Sequence, residues 1–459
     1  MFLVGLASAL GAGREQTQRL NQQFQSAVAQ YDAGHLPEAA AQLENLLHET
    51  PESFEVHELL GLVYAGESQD ALAQQHLEKA VRLKPDSAAA RTNLATNLVH
   101  MGMLEPAQEQ LKKAVALEPR NFDANHNLGE LYVRMSKLPE AVPFLKEAQR
   151  IQPSSYDNGY DLALAYLFTG HPPQARQLVQ GLLQGKNTAE LHNLLGQIEE
   201  KDGKFVAAVN EFETAAHQDP SESNLFDWAG ELLLHRTLEP AIEVFRKSAE
   251  RYPNSPRLAI GLGIALYSRG NYDEAVKSLL RASDLSPSDP RSYFFLSKAY
   301  DSSPSQADEV IRRFARFLEL RPGDARASYY YAMSLWKGKR AQDPSLDLHQ
   351  IESLLTKAIT LDPNLADAHL HLGNLYSDQG HYAASIPEYV KALENNPDLA
   401  DARYRLGQAY VHTGEKEKAQ AEFQVYQRLR EQHLADLDKQ RAEIRQFVYS
   451  EKNELPAKP

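Results

Sequence analysis

The sequence predicts an all-α chain: an α-solenoid of about twelve stacked helix-turn-helix units ending in a long C-terminal helix. Three observations carry this. One phrase of large, small and proline positions recurs at a period of about 34 residues, the length of one helical hairpin in a stacked array. Small residues return at the same places in each phrase, where two helices would have to approach closely. A proline closes nearly every phrase, and a residue without an amide donor cannot continue the helix before it.

The phrase is cleanest in NHNLGELYVRMSKLPEAVPFLKEAQRIQP, residues 125–153, with Leu128, Gly129, Tyr132, Ala141, Leu145, Ala148 and Pro153 as fixed points. Counting from the closing prolines places repeats at 20–53, 54–87, 88–121, 122–155, 156–188, 189–221, 222–255, 256–289, 290–323, 324–365, 366–399 and 400–433. In each first helix a large residue at repeat position 7 precedes a small one at position 8, as in Leu60-Gly61, Leu262-Gly263, Leu372-Gly373 and Leu406-Gly407. Each second helix supplies Ala near positions 20 and 27, among them Ala73, Ala107, Ala141, Ala114 and Ala148. A larger side chain forced into such a contact costs about 1–3 kcal/mol. Asp86, Ser154, Ser221, Asn254, Ser288, Asn364 and Asp398 directly follow closing prolines and are expected to cap the next helix. Internal prolines such as Pro37, Pro139 and Pro240 fall near the starts of second helices, where a missing N–H is tolerated.

Three stretches depart from the period. In the fifth repeat Gly181–Asn187 replaces the closing proline, which predicts a local kink. In the tenth, Gly338–His349 lengthens the turn between helices, and Tyr330, counted at position 8, predicts irregular helix spacing there. Residues 422–449 read as one long helix with Leu434, Leu437, Ile444 and Val448 on about one face, so that 434–449 would cover the open end of the stack and 450–459 would be a flexible tail. At the other end, MFLVGLASALGAG is an apolar run with Ala7-Ser8-Ala9 in small-x-small form, so 1–19 reads as a signal peptide or, alternatively, an N-terminal cap. The localisation expected from this is exported, periplasmic or secreted, with a cytoplasmic protein as the alternative, since no basic residue precedes the run.

The composition excludes several classes of function. With 62 acidic against 48 basic residues the formal net charge is −14, and no basic block is interleaved with aromatics, which argues against nucleic acid as a partner. There is no cysteine, so disulfides and thiolate chemistry are absent. No apolar run reaches the roughly 18 residues a membrane span needs. His369 and His371 are two apart on a predicted helix and so face different ways, whereas two ligands on one face need i, i+4 spacing. No phosphate loop, nucleophile elbow or zinc-protease motif appears. No cofactor, metal or catalytic residue is expected, and the chain reads as a non-enzyme.

The recurring fixed points resemble the tetratricopeptide repeat (TPR) family over roughly residues 20–433. The resemblance implies a right-handed superhelix whose concave groove, lined mainly by first helices, binds a peptide or an extended segment of another protein. It also implies that position 5 of each first helix faces that groove: Phe24, Glu58, Thr92, His126, Tyr160, Asn193, Phe226, Ile260, Phe294, Ala327, Leu370 and Tyr404. Of these, Phe24, Tyr160, Phe226, Phe294 and Tyr404 are the candidate anchors, since aromatic rings contribute disproportionately to binding. The competing reading is that these rings pack between adjacent helices. Asn93 and Asn127, at position 6 of consecutive repeats, resemble two rungs of the asparagine ladder that holds a peptide backbone in O-linked N-acetylglucosamine transferases. Thr92 and Thr96 occupy places where chaperone-binding members carry a carboxylate clamp, so that function is not expected. Acids at position 2, among them Glu55, Asp123, Asp157, Asp324 and Asp367, would favour a basic or amphipathic partner segment, or simply complement the helix dipoles. The function read from the sequence is a protein-binding scaffold, the alternatives being an exported assembly or secretion scaffold and a regulatory subunit of a separate enzyme.

Overall fold

The computed structural model describes residues 14–338, 347–431 and 441–449, all of it in helices and connecting turns. The expectations for residues 1–13, for most of the lengthened turn in the tenth repeat, for 432–440 and for the tail 450–459 lie outside the described residues. The chain divides into two compact units, 1–204 and 205–459.

Unit 1 holds α1 (Arg14–Asp32), α2 (Leu36–Glu49), α3 (Phe54–Gly66), α4 (Asp70–Leu83), α5 (Ala88–His100), α6 (Leu104–Leu117), α7 (Phe122–Arg134), α8 (Leu138–Ile151), α9 (Tyr156–Phe168), α10 (Pro172–Gly185) and α11 (Ala189–Lys201). Unit 2 holds α12 (Phe205–Gln218), α13 (Glu222–Leu234), α14 (Leu238–Arg251), α15 (Pro256–Arg269), α16 (Tyr272–Leu285), α17 (Pro290–Ser302), α18 (Ala307–Leu320), α19 (Ala325–Gly338), α20 (Leu348–Leu361), α21 (Ala366–Asp378), α22 (Tyr382–Asn395), α23 (Ala400–Thr413) and α24 (Lys416–Glu431), then α25 over 441–449. Within each unit most helices pack on their neighbours in sequence and, more lightly, first helices pack on first helices, which makes each unit an all-α solenoid.

The close approach expected at position 8 is visible at the atoms. A methyl group on Gly61 would lie 2.4 Å from Leu77 Cγ, one on Gly129 2.5 Å from Leu145 Cγ, and one on Gly263 2.5 Å from Leu279 Cγ. Gly373 and Gly407 meet rings instead, Tyr389 at 2.7 Å and Phe423 at 2.6 Å. The second-helix alanines Ala73, Ala107, Ala141 and Ala148 are fully buried.

The helix caps correct the sequence reading by one residue. Lys84-Pro85-Asp86-Ser87 is a turn in which the Ser87 N–H donates to the Lys84 carbonyl at 3.1 Å. Proline sits at the position where its fixed φ suits a turn, the residue after it completes the turn, and the next one caps. Thus Ser87, Ser155 and Ser255 accept from backbone N–H groups three residues on, and Asp289 from the N–H two residues on. Of the residues expected to cap, Ser221 does so, whereas Leu365 and Leu399 hold the cap positions after Asn364 and Asp398 with no side-chain bond.

Two of the departures also resolve differently from expectation. Helix α10 continues through Gly181 to Gly185 without interruption, and Thr188 caps α11 in place of a proline turn. In the tenth repeat Asp324 is the cap, accepting from the N–H groups of Arg326 and Ala327, so the first helix starts at Ala325. Position 8 is therefore the fully buried Ala332, in one cluster with Ile351 and Leu355, and not Tyr330. The same shift puts Tyr329, not Ala327, at position 5.

Candidate functional site

The position 5 row was singled out as a binding surface, and the structure distributes its members over three environments. In unit 1, Phe24 is half-buried against the core, and Tyr160 is only 8% exposed, its phenol pushed up well above its usual range first by burial. Asn93 Nδ2 donates to Glu58 Oε1 at 3.3 Å, and Asn127 Nδ2 donates to Thr96 Oγ1 at 3.3 Å. Each amide thereby ties its first helix to the first helix before it. Burial raises the Glu58 carboxyl, while Lys84 and the Asn93 amide pull it back down.

In unit 2, Phe226 is fully buried. It meets Phe245 edge-on at 5.9 Å, and the Arg257 guanidinium stands 5.2 Å from its ring centre. Its ring belongs to the packed interior, the competing reading of the row. Phe294 is half-buried, edge-on to Phe295 at 5.0 Å with Lys298 Nζ 5.0 Å from its centre. Tyr404 is 38% exposed, beside Phe423 and Tyr426. Tyr329, which sequence reasoning missed, packs edge-on to His371 at 5.7 Å and shares a 3.3 Å hydrogen bond with its Nδ1. Counting from Pro322 with the offset that Pro119 and Pro153 give their repeats would have found it.

The element that organises this face is α25. The sequence predicts that 434–449 covers the open end of the stack, yet α25 lies on the first helices of earlier repeats. Phe447 is buried edge-on to Phe226 at 5.9 Å and to Phe295 at 6.1 Å. Val448 is fully buried and Ile444 packs on the same cluster. Glu443 Oε2 lies 2.9 Å from Lys298 Nζ. The physical reason is area: a helix with apolar residues at i, i+3 and i+4 gains most where large rings already face it. Two clefts flank the docked helix. One, of about 340 Å³, is lined by Phe294, Phe295, Tyr330, Arg326 and Phe447; the other, of about 390 Å³, by Phe294, Lys298, Tyr329, Arg326, His371 and Glu443.

His369 and His371 have different neighbours. His369 bonds Glu388 at 2.7 Å and the Pro363 carbonyl, and Glu388 raises its pKa, whereas His371 meets the Asp367 carbonyl and is lowered by burial. Among the described residues no group of three or more metal-ligating side chains converges, and no helix is long and apolar enough to cross a membrane.

Models of the tetratricopeptide repeat match residues 24–88, 92–156 and 364–433, another matches 133–198, and a TPR repeat model matches 263–301, together more than half of the chain. Comparison with curated protein sequences gives no match. Among solved structures, the Naa15/Naa10 complex bound to HypK-THB is 18% identical over 88% of this chain and 68% of its own, with a TM-score of 0.36. The pilF protein of Pseudomonas aeruginosa is 19% identical over 45% of this chain and 95% of its own, at a TM-score of 0.41. PilW, a type IV pilus biogenesis factor, is 21% identical over 44% and 94%, at 0.40. Likeness at that level carries no argument about what this chain binds. The repeat phrase, its helical hairpins and the family matches agree, and the chain belongs to the tetratricopeptide repeat family, a protein-interaction scaffold by fold.

Proposed function

We propose that this chain is a non-catalytic scaffold that holds a segment of another protein against the first-helix face of its repeats. The observation that supports this most is α25, a helix of this chain already seated on that face in unit 2 through Phe447 and Val448. Phe294 and Tyr404 are the anchors of choice because part of each ring is accessible; Phe226 forms the floor beneath Phe447, and Asn93 and Asn127 stiffen the corresponding face of unit 1.

The test is site-specific photo-crosslinking in an extract of the source organism, with the crosslinker placed at Phe294, Tyr404 or, as an outer control, the exposed Leu117. Protein adducts at Phe294 and Tyr404 and none at Leu117 are expected. Adducts at Leu117 alone would refute the first-helix face as the binding surface. The export reading rests on the apolar run before Arg14, and N-terminal sequencing of the native protein tests it: a start near Leu10 or Gly13 supports it and an intact Met1 opposes it.

A further inference from the structure

Helix α25 has the properties of a ligand. Its apolar residues Ile444, Phe447 and Val448 stand at i, i+3 and i+4 and all face unit 2, while Arg441, Arg445 and Gln446 are exposed. Its one carboxylate on the docked side, Glu443, meets Lys298, and the exposed Arg326 lines both flanking clefts. The seat is thus apolar in the middle and of mixed charge at the side, where Asp301, Asp324 and Asp367 stand beside Arg326, and Lys298 is the cation that takes the carboxylate of the helix. The two clefts adjoin the helix at Glu443 and share Phe294, Arg326 and Tyr330, so a bulkier helix would gain contacts that α25 does not make.

We propose that residues 441–449 are a built-in ligand of the first-helix face of unit 2, and that the partner segment competing for the same seat is an amphipathic helix with one carboxylate set against Lys298. Its pattern is read from the tail: a carboxylate, an aliphatic residue directly after it, and an aromatic-aliphatic pair three and four residues beyond that aliphatic. This rests on the protein-binding reading above and adds its regulation: the partner binds only when the tail leaves. It adds, for this seat, one required carboxylate to the partner expected from the position 2 acids, two of which, Asp324 and Asp367, line the same clefts. A tethered segment competes at an effective concentration in the millimolar range, so the tail sets a threshold that a weak partner does not pass.

The test uses the full chain and a fluorescent peptide of residues 436–452. The wild-type chain, its seat filled, is expected to bind the peptide at least tenfold more weakly than the full chain carrying Phe447→Ser and Val448→Ser. In that released chain Lys298→Glu is expected to weaken the peptide tenfold, and a peptide carrying Glu443→Lys to recover the loss. Equal binding to wild-type and released chains of the same helical content would overturn the proposal, as would failure of the charge swap. If the double variant loses helical content, the full chain carrying Glu443→Lys, a change at a half-buried ion pair, takes its place with the same expected direction. A concentration-dependent dimer of the wild-type chain in light scattering, lost on tail release, would place the tail in a second copy and also overturn it. The peptide is the probe, so these results do not depend on a partner being found; an absence of crosslinked protein at Phe294 in the released chain would count against the scaffold reading alone.

Discussion

Gly129→Ala and Gly181→Ala make the same chemical change in two helices of unit 1 and are expected to act with opposite signs. Both glycines lie inside helices, where alanine is favoured by about 0.8–1.0 kcal/mol. Around Gly181 nothing lies within 4 Å of the added methyl, so Gly181→Ala is expected to stabilise by about 1 kcal/mol. At Gly129 the methyl would lie 2.5 Å from Leu145 Cγ and 3.2 Å from its backbone nitrogen. Ordinary contact between carbons is about 3.5–4.0 Å. Leu145 is fully buried and its Cγ cannot swing aside without displacing α8. Overpacking of this kind costs about 1–3 kcal/mol, and the collision is close enough to put it in the upper half. After subtracting the helix gain, about 1–2 kcal/mol of destabilisation remains. Denaturant unfolding with amide exchange read on 122–151 and 172–185 measures both. Since each repeat contacts only its neighbours, the loss of protection in the Gly129 variant should centre on α7 and α8. A Gly129 variant as stable as wild type would refute the close-contact reasoning for every position 8 glycine.

Three further outcomes are expected. Arg236 lies at φ 59°, in the turn place that Gly102 and Gly170 fill in other repeats, and a non-glycine there costs roughly 1–2 kcal/mol; Arg236→Gly should stabilise α13 and α14 by about 1 kcal/mol in amide exchange, and no gain would show that the side chain offsets the strain. Arg176 forks onto the largely buried Glu199 at 2.5 and 3.0 Å and reaches Asp202 at 2.6 Å; Arg176→Ala strands that carboxylate with only Lys204 at 3.7 Å and should destabilise α10 and α11 by about 3 kcal/mol. His57 Nδ1 stands 3.0 Å from His76 Nδ1, and burial first, then nearby positive charge, pushes both imidazoles below 6.5. The unfolded chain then takes up protons that the folded unit refuses, so the contribution is full above about pH 6.5 and is lost as the pH falls below it towards the folded values; exchange protection of 54–83 should drop between pH 7.5 and 5.5, and His76→Asn should flatten that drop.

The fold was legible because its determinants are local and repeated. Pro85 or Pro153 ends a helix by its own chemistry, and Gly61 or Gly129 marks a close approach whatever lies elsewhere in the chain. The misreadings were also local but of finer grain. Asp86 and Ser154 are the right residue types for caps, yet the turn made by each proline uses them up and hands the cap to Ser87 and Ser155. Tyr330 and Ala327 were displaced from their true positions because Asp324 was taken for a residue inside the helix it caps. The candidate site was legible as a row but not as a surface. Whether Phe226 is floor and Tyr404 is accessible depends on what lies over each, and the helix over Phe226 comes from residues 441–449, more than two hundred positions away. No period in the sequence encodes that contact; the only trace of it is the spacing of Ile444, Phe447 and Val448.

The facing pairs at the hairpin core trade volume. Gly61, Gly129 and Gly263 face leucines, and Gly373 and Gly407 face the rings of Tyr389 and Phe423. In every such pair one partner has surrendered its side chain to the other, so neither can drift alone without a clash or a void. Change is admissible in matched steps, or by moving both helices of a hairpin together. The natural unit of inheritance and of recombination in this chain is therefore the complete hairpin, and grafts cut at the proline turns should succeed where grafts of single helices fail.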